Sequence, residues 1–259
     1  RLRSLFDQGP PCLLPRIQLL TDFSRGIETA DIPPAVPPLR RRFELIQLIS
    51  HLLDQQPDLA PRTSLFDLAD SLAKLKKLVK SKTPRIVEVG ANIGNHVVWY
   101  ARYLGAERIY PVEPNPEALT ILNQNIDANG IRPRIDTRGM GYGAGKNTGT
   151  FRTQTDNADN LGATKLVADA EGGIETRTLD ELMGDETVDF IKIDAEGMEL
   201  DVLEGAAGLI ARDKPVIWVE VLRENMLGFA QTWCKSAGYR IVDSTPYVHT
   251  IDYFAVPKE

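Results

Sequence analysis

The chain has 259 residues, of which 42% are hydrophobic and 25% charged, with a net charge of −6. Such a profile fits a globular protein built as one large α/β domain, or as a core domain with an appendage. The acidic balance counts against a dedicated nucleic-acid binder, and no apolar run approaches the ~20 residues of a membrane span.

Residues 1–40 carry proline clusters and read as an extended linker. Its start lacks the uninterrupted apolar run of a signal peptide. The two distant cysteines, Cys12 and Cys234, signal neither a disulfide framework nor a zinc site, so two reduced thiols in a cytoplasmic protein are expected. The chain opens on Arg1 rather than Met, as a piece of a longer protein would, fused to or docking with other biosynthetic domains.

Two helical patterns follow. One runs from Leu39 to Leu53, and the other from Thr63 to Lys80 with Leu65, Leu68, Leu72, Leu75 and Leu78 along one side. Residues 1–80 are therefore expected to form an N-terminal extension, and 81–259 the main domain.

From Pro84 strands and helices alternate. RIVEVG, RIYPVE, RPRIDTRGM, VDFIKID and PVIWVEV read as strands. Asn92–Leu104, Pro116–Asn129, Met198–Ala211 and Asn225–Ala237 read as helices between or after them. Such alternation implies a mainly parallel sheet covered on both faces. YRIVDS and YVHTIDYFAVP are too close for a helical crossover and should pair antiparallel. A parallel sheet ending in an antiparallel strand is the layout of the class I methyltransferase (Rossmann-like) fold. The stretch from Asn147 to Glu175 is long for a connection and is expected to carry function or extra strands.

Two strand ends carry chemistry. In Gly90-Ala91-Asn92-Ile93-Gly94 the glycines permit a tight turn, and the helix that follows offers free N–H groups to an anion. The next strand ends in Glu113, where an acid can accept hydrogen bonds from ribose hydroxyls. A dinucleotide site would want a glycine in the middle of the loop, and none is there. Glu88 near the loop would repel pyrophosphate but attract an ammonium. S-adenosylmethionine, which carries an ammonium and a carboxylate, suits this pattern better than NAD.

The second strand end, Asp194-Ala195-Glu196-Gly197, displays two carboxylates at the mouth of a buried strand. Either can remove a proton from an acceptor hydroxyl. Asp194 can equally bond a cofactor ammonium, and Glu196 can cap the helix after Gly197. His96 is the alternative base, because imidazole titrates near neutrality, although a capping or packing role also fits it. Glu199 is expected to pair with Lys192. Asp194 and Glu220, on adjacent strand ends, could hold a divalent cation, but no third ligand is evident from spacing and a metal-free reaction is favoured. Glu220 is then expected to touch the acceptor. His249 could meet the acceptor at the rim or sit exposed in a hairpin.

Together VEVGANIGNH, YPVEPNP, TRTLDEL, VDFIKIDAEGMELDVLEGA, PVIWVE and DYFAVP, in this order, resemble the FkbM family of S-adenosylmethionine-dependent methyltransferases. The resemblance covers roughly Pro84–Pro257. It implies the class I methyltransferase sheet and O-methylation of a hydroxyl on a sugar or secondary metabolite. It also implies that Glu88, Gly90, Asn92 and Gly94 surround the methionine part of the cofactor, and that Glu113 holds the ribose. Asn115 would touch adenine, or simply cap the next helix. Gly139, Met140 and Gly141 would lie near the adenine. The rival readings are an NAD-dependent oxidoreductase and a binding module without turnover.

Overall fold

The computed structural model describes residues 65–155, 164–168 and 172–258. The expected helix over 39–53 and Cys12 lie outside them. The chain divides into two units, 1–77 and 78–259. The described part of the first is essentially helix α1 (Leu65–Leu78), whose last turn carries Lys76 and Lys77, suited to the negative end of its dipole.

The second unit holds a six-stranded sheet. Its strands are β1 (Arg85–Val89), β2 (Arg108–Val112), β7 (Phe190–Ile193), β8 (Val216–Leu222), β9 (Tyr239–Pro246) and β10 (Thr250–Pro257). They lie in the order β2-β1-β7-β8-β10-β9. β2, β1, β7 and β8 run parallel, and β10 is antiparallel to both β8 and β9. A second sheet, in the order β3-β6-β4-β5, is made of β3 (Tyr142–Ala144), β4 (Gly149–Thr155), β5 (Thr164–Ala168) and β6 (Ile174–Arg177). The long stretch after Asn147 thus contributes strands β4 and β5.

Helices α2 (Asn95–Trp99), α3 (Pro116–Ala128), α4 (Leu179–Met183), α5 (Glu199–Glu204), α6 (Ala207–Asp213) and α7 (Cys234–Ser236) complete the unit. The period of a strand sorts side chains to two faces. Val87, Val89, Ile191, Ile193, Ile217, Val219 and Val221 share one buried cluster with Val202, Leu203, Leu209 and Ile210 of α5 and α6. The residues between them, Glu88, Lys192 and Trp218, stand in register across β1, β7 and β8. Tyr100 meets Phe190 edge-on beside this row, with ring centroids 5.7 Å apart.

Four expected elements differ. RPRIDTRGM is not a strand: it forms a single 3₁₀ turn at Arg132–Arg134, and its backbone pairs only in two isolated bridges, Ile135 with Ile109 of β2 and Met140 with Glu113 just after it. Pro133, inside that turn, has no N–H to give a ladder. The helix expected from Asn92 begins at Asn95, because Asn92 and Gly94 both take positive φ, and it closes in a π-helical turn over Tyr100–Leu104. The helix expected over Met198–Ala211 breaks into α5 and α6 at Gly205. A side chain on Gly205 would collide with the Gly145 carbonyl, so the break lets another loop approach. The stretch after Asn225 is π-helical over Gly228–Trp233 before the short α7. Among the described residues no helix is long and apolar enough to cross a membrane.

Candidate active site

The carboxyl ends of β1, β2 and β7 open onto one cavity, where ligands of open α/β sheets bind. Its wall includes Gly90, Asn92, Asn95 and His96 from the β1–α2 turn, Glu113 and Pro114 after β2, and Gly143 and Ala144 of β3. Lys192, Asp194, Glu196 and Met198 close it from the β7 side.

The glycine loop is held from two directions. The N–H groups of Gly90 and Ala91 donate to the Val112 carbonyl at 3.0 and 3.2 Å. The N–H of Asn92 donates to Glu113 Oε2 at 2.7 Å, while Asn115 N–H donates to Glu113 Oε1 at 2.8 Å. Glu113 is therefore a structural clamp as well as a wall residue. Burial raises its pKa, and the two backbone donors oppose that shift. Each oxygen keeps a lone pair for a further donor. Gly90 has φ +75°, and a side chain there would run into the Asp194 backbone carbonyl, so the ends of β1 and β7 close up only around a glycine.

At the other end of the cavity His96 Nδ1 bonds Glu88 Oε1 at 2.9 Å. Glu88 is only 1% exposed, whereas the His96 side chain is 20% exposed. With Glu88 ionised, Nδ1 is the donor of this bond, and a neutral imidazole then keeps its second ring nitrogen as an acceptor. The imidazole also lies against Trp218, with centroids 5.4 Å apart. Beside it Lys192 Nζ donates to Asp194 Oδ2 at 3.1 Å.

Several assignments shift accordingly. Glu88 is the partner of His96. The expected Glu199–Lys192 pair is not formed: Lys192 reaches Asp194, because residues two apart on a strand share a face. Glu199 Oε1 instead accepts the Gly197 N–H at 2.7 Å, taking the capping position considered for Glu196. Burial raises the Glu199 pKa. Glu196 lies on the wall with φ 49°, a left-handed conformation that side chains adopt at a cost of about 1–3 kcal/mol and that concentrates at functional sites.

The remaining expected site residues lie outside the cavity wall. Gly94, at φ +88°, packs on Leu122 of α3. Asn115 caps α3, its side chain accepting the Glu117 N–H at 3.0 Å. Gly139 is pressed against Pro111 and Val112, while Met140 and Gly141 pair with the backbone at Glu113. Glu220 accepts from the Thr250 hydroxyl at 2.7 Å and sits opposite Asp252 across β8 and β10. His249 is exposed between β9 and β10. Sequence reasoning gave no site role to Asn95, Gly143, Ala144, Met198 or Lys192. The signal for Lys192 was present: a lone cation in an apolar strand, two residues before an acid.

The match to known families decides the class. A family model described as the methyltransferase FkbM domain matches residues 88–241. The chain belongs to this family. The crystal structure of methyltransferase FkbM from Methylobacillus flagellatus KT is 25% identical, with a TM-score of 0.50, over 67% of this chain and 44% of that one. The chain thus spans less than half the length of that relative. Precorrin-6y C5,15-methyltransferase from Geobacter metallireducens GS-15 matches at 15% identity and TM-score 0.46, over 73% and 87% of the two chains. M. jannaschii TYW2 in complex with AdoMet matches at 14% and 0.40, over 73% and 75%. No curated protein matches the chain.

S-adenosylmethionine is the cofactor of the family, and the cavity fits it. The side-chain oxygens of Asn92 and Asn95 are buried without a hydrogen-bond partner in the protein, as acceptors waiting for an ammonium would be. Glu113 has lone pairs for a ribose diol. Val112, Pro114, Ala144 and Met198 supply an apolar wall for a purine. Among the described residues no group of three His, Cys, Asp or Glu side chains is placed to hold a metal ion.

Proposed function

We propose that this chain is an S-adenosylmethionine-dependent O-methyltransferase acting on a hydroxyl of a small acceptor, a sugar or secondary metabolite. The observation that carries the proposal is the His96–Glu88 pair, in which His96 stands on the same cavity wall as the glycine loop and Glu113 and Glu88 is buried behind it. An alcohol is a weak nucleophile until its proton leaves. The free ring nitrogen of His96 accepts that proton, and buried Glu88 fixes the tautomer and stabilises the imidazolium that forms. Asp194 is the second candidate base, but its Oδ2 already takes a bond from Lys192, which makes it the better neighbour for the positive charge at the cofactor's sulfur.

When bound, the cofactor supplies an electrophilic methyl group. The chain's own part is to place the acceptor oxygen in line and to exclude water. Glu196 stands on the wall beside this position, and Glu220 and His249 are assigned to acceptor recognition further along the strand ends. The net charge of −6 favours an uncharged acceptor over a nucleic acid.

The test begins with S-adenosylhomocysteine and NADH in thermal unfolding. At a hundredfold excess over Kd a specific ligand stabilises by about 2.7 kcal/mol, and only S-adenosylhomocysteine should do so. Labelled S-adenosylmethionine is then supplied with a panel of glycosides and phenolic alcohols, and the labelled product is mapped. Label on nitrogen or carbon would overturn the O-methyl assignment. Cofactor binding with no transfer to any acceptor in the panel would favour a non-catalytic module.

A further inference from the structure

The row Glu88–Lys192–Trp218 crosses three neighbouring parallel strands. At its centre Lys192 is 3% exposed yet contributes to the cavity wall. Its Nζ bonds Asp194 at 3.1 Å and lies 5.4 Å from the centre of the Trp218 ring. Burial opposes the ammonium charge, but Asp194, Glu88, Glu220 and Asp252 surround it and together hold it protonated. A lysine stem in a strand core is costly unless its charge is used; here it balances the surrounding carboxylates, and of these it bonds Asp194, which shares the cavity wall with it.

We infer that Lys192 is a positioning residue that pins the Asp194 carboxylate at the cavity mouth and sets how strongly the site prefers the sulfonium donor over its neutral thioether product. The inference rests on the S-adenosylmethionine reading. Donor and product differ by one positive charge, so charges on the wall act on their affinity ratio. Asp194 alone attracts the sulfonium. Lys192 offsets that attraction and keeps the donor from being held too firmly in its ground state.

The experiment is calorimetric titration of S-adenosylmethionine and S-adenosylhomocysteine into wild type, Lys192→Met, Lys192→Arg and Asp194→Asn at pH 8. Lys192→Met should shift the ratio of affinities toward the donor by about tenfold, the scale of one unit charge acting across a partly screened site. Asp194→Asn should shift it toward the product, and Lys192→Arg should leave it within about twofold. A merely structural lysine would weaken both ligands equally and leave the ratio unmoved, which overturns the inference. So does a shift in the same direction for Lys192→Met and Asp194→Asn. Should Lys192→Met not fold, Lys192→Gln, which also removes the charge, is titrated in its place with the same expected shift and the same refuting result. Wild type that binds neither ligand would refute the cofactor reading itself, a distinct outcome.

Discussion

Replacing Gly90 by alanine tests how closely β1 and β7 approach at the cavity. Gly90 has φ +75°, and its added Cβ would collide with the Asp194 backbone carbonyl. Two costs add. The left-handed backbone costs a side-chain-bearing residue about 1–2 kcal/mol, and relieving a backbone collision costs about 1–3 kcal/mol more. Gly141 separates them: it has φ +91° and nothing within 4 Å of its would-be Cβ. Gly141→Ala should therefore lose only the conformational part. For a unit of this size each kcal/mol lowers Tm by about 2–4 °C. Gly90→Ala is expected to fall by about 4–20 °C and Gly141→Ala by about 2–8 °C in calorimetry, with Gly90→Ala the larger of the two. Gly90→Ala should also lose S-adenosylhomocysteine affinity, because the Asn92 and Asn95 side chains turn on the same loop, whereas Gly141→Ala should keep it. Equal melting shifts, or an unimpaired cofactor site in Gly90→Ala, would refute the argument.

The clamp at Glu113 predicts that Glu113→Gln destabilises by about 1–3 kcal/mol in urea unfolding, since one of two backbone donors then faces an amide NH₂; unchanged stability would remove its structural role. Glu88→Gln and His96→Asn should each cut turnover by roughly 10²–10⁴-fold while leaving cofactor affinity within about threefold, and comparable losses in both quantities would count against the base assignment. Burial and the neighbouring Glu220 push the Asp252 carboxyl up to about 7. Between about pH 4 and 7 the folded state then keeps a proton that the unfolded chain has released. Stability should fall as pH rises through that window, by up to about 1.4 kcal/mol per pH unit from this group. Asp252→Asn should flatten the profile of urea midpoints, and an unaltered slope would show that the group does not titrate there. Asp180 accepts from the N–H groups of Gly208 and Leu209 at 2.9 and 2.8 Å, so Asp180→Ala should uncap α6 and cost about 1–2 kcal/mol, measured by the same unfolding.

Much of the scaffold was legible because its signals are local. Strand runs such as VDFIKID, the Asn115-Pro116 helix opening and the glycine turn each report a backbone requirement that neighbouring residues carry by themselves. The antiparallel closing pair was legible from the shortness of its connection alone. The misread elements have both distant and local causes. Gly205 breaks a helix to admit the loop at Gly145, whereas residues 132–140 fail as a strand for a local reason, the 3₁₀ turn around Pro133.

The candidate site divides in the same way. Sequence by itself pointed to the family and placed Gly90, Asn92, Glu113, Asp194 and Glu196 at strand ends, which parallel strands in a Rossmann-like sheet deliver to one side. Only the tertiary structure decided the pairings: Glu88 with His96, Lys192 with Asp194, and Glu113 with the backbone of two loops. A buried charge takes whichever partner the register of neighbouring strands brings within about 3 Å, and that register is set by the packing of the whole sheet.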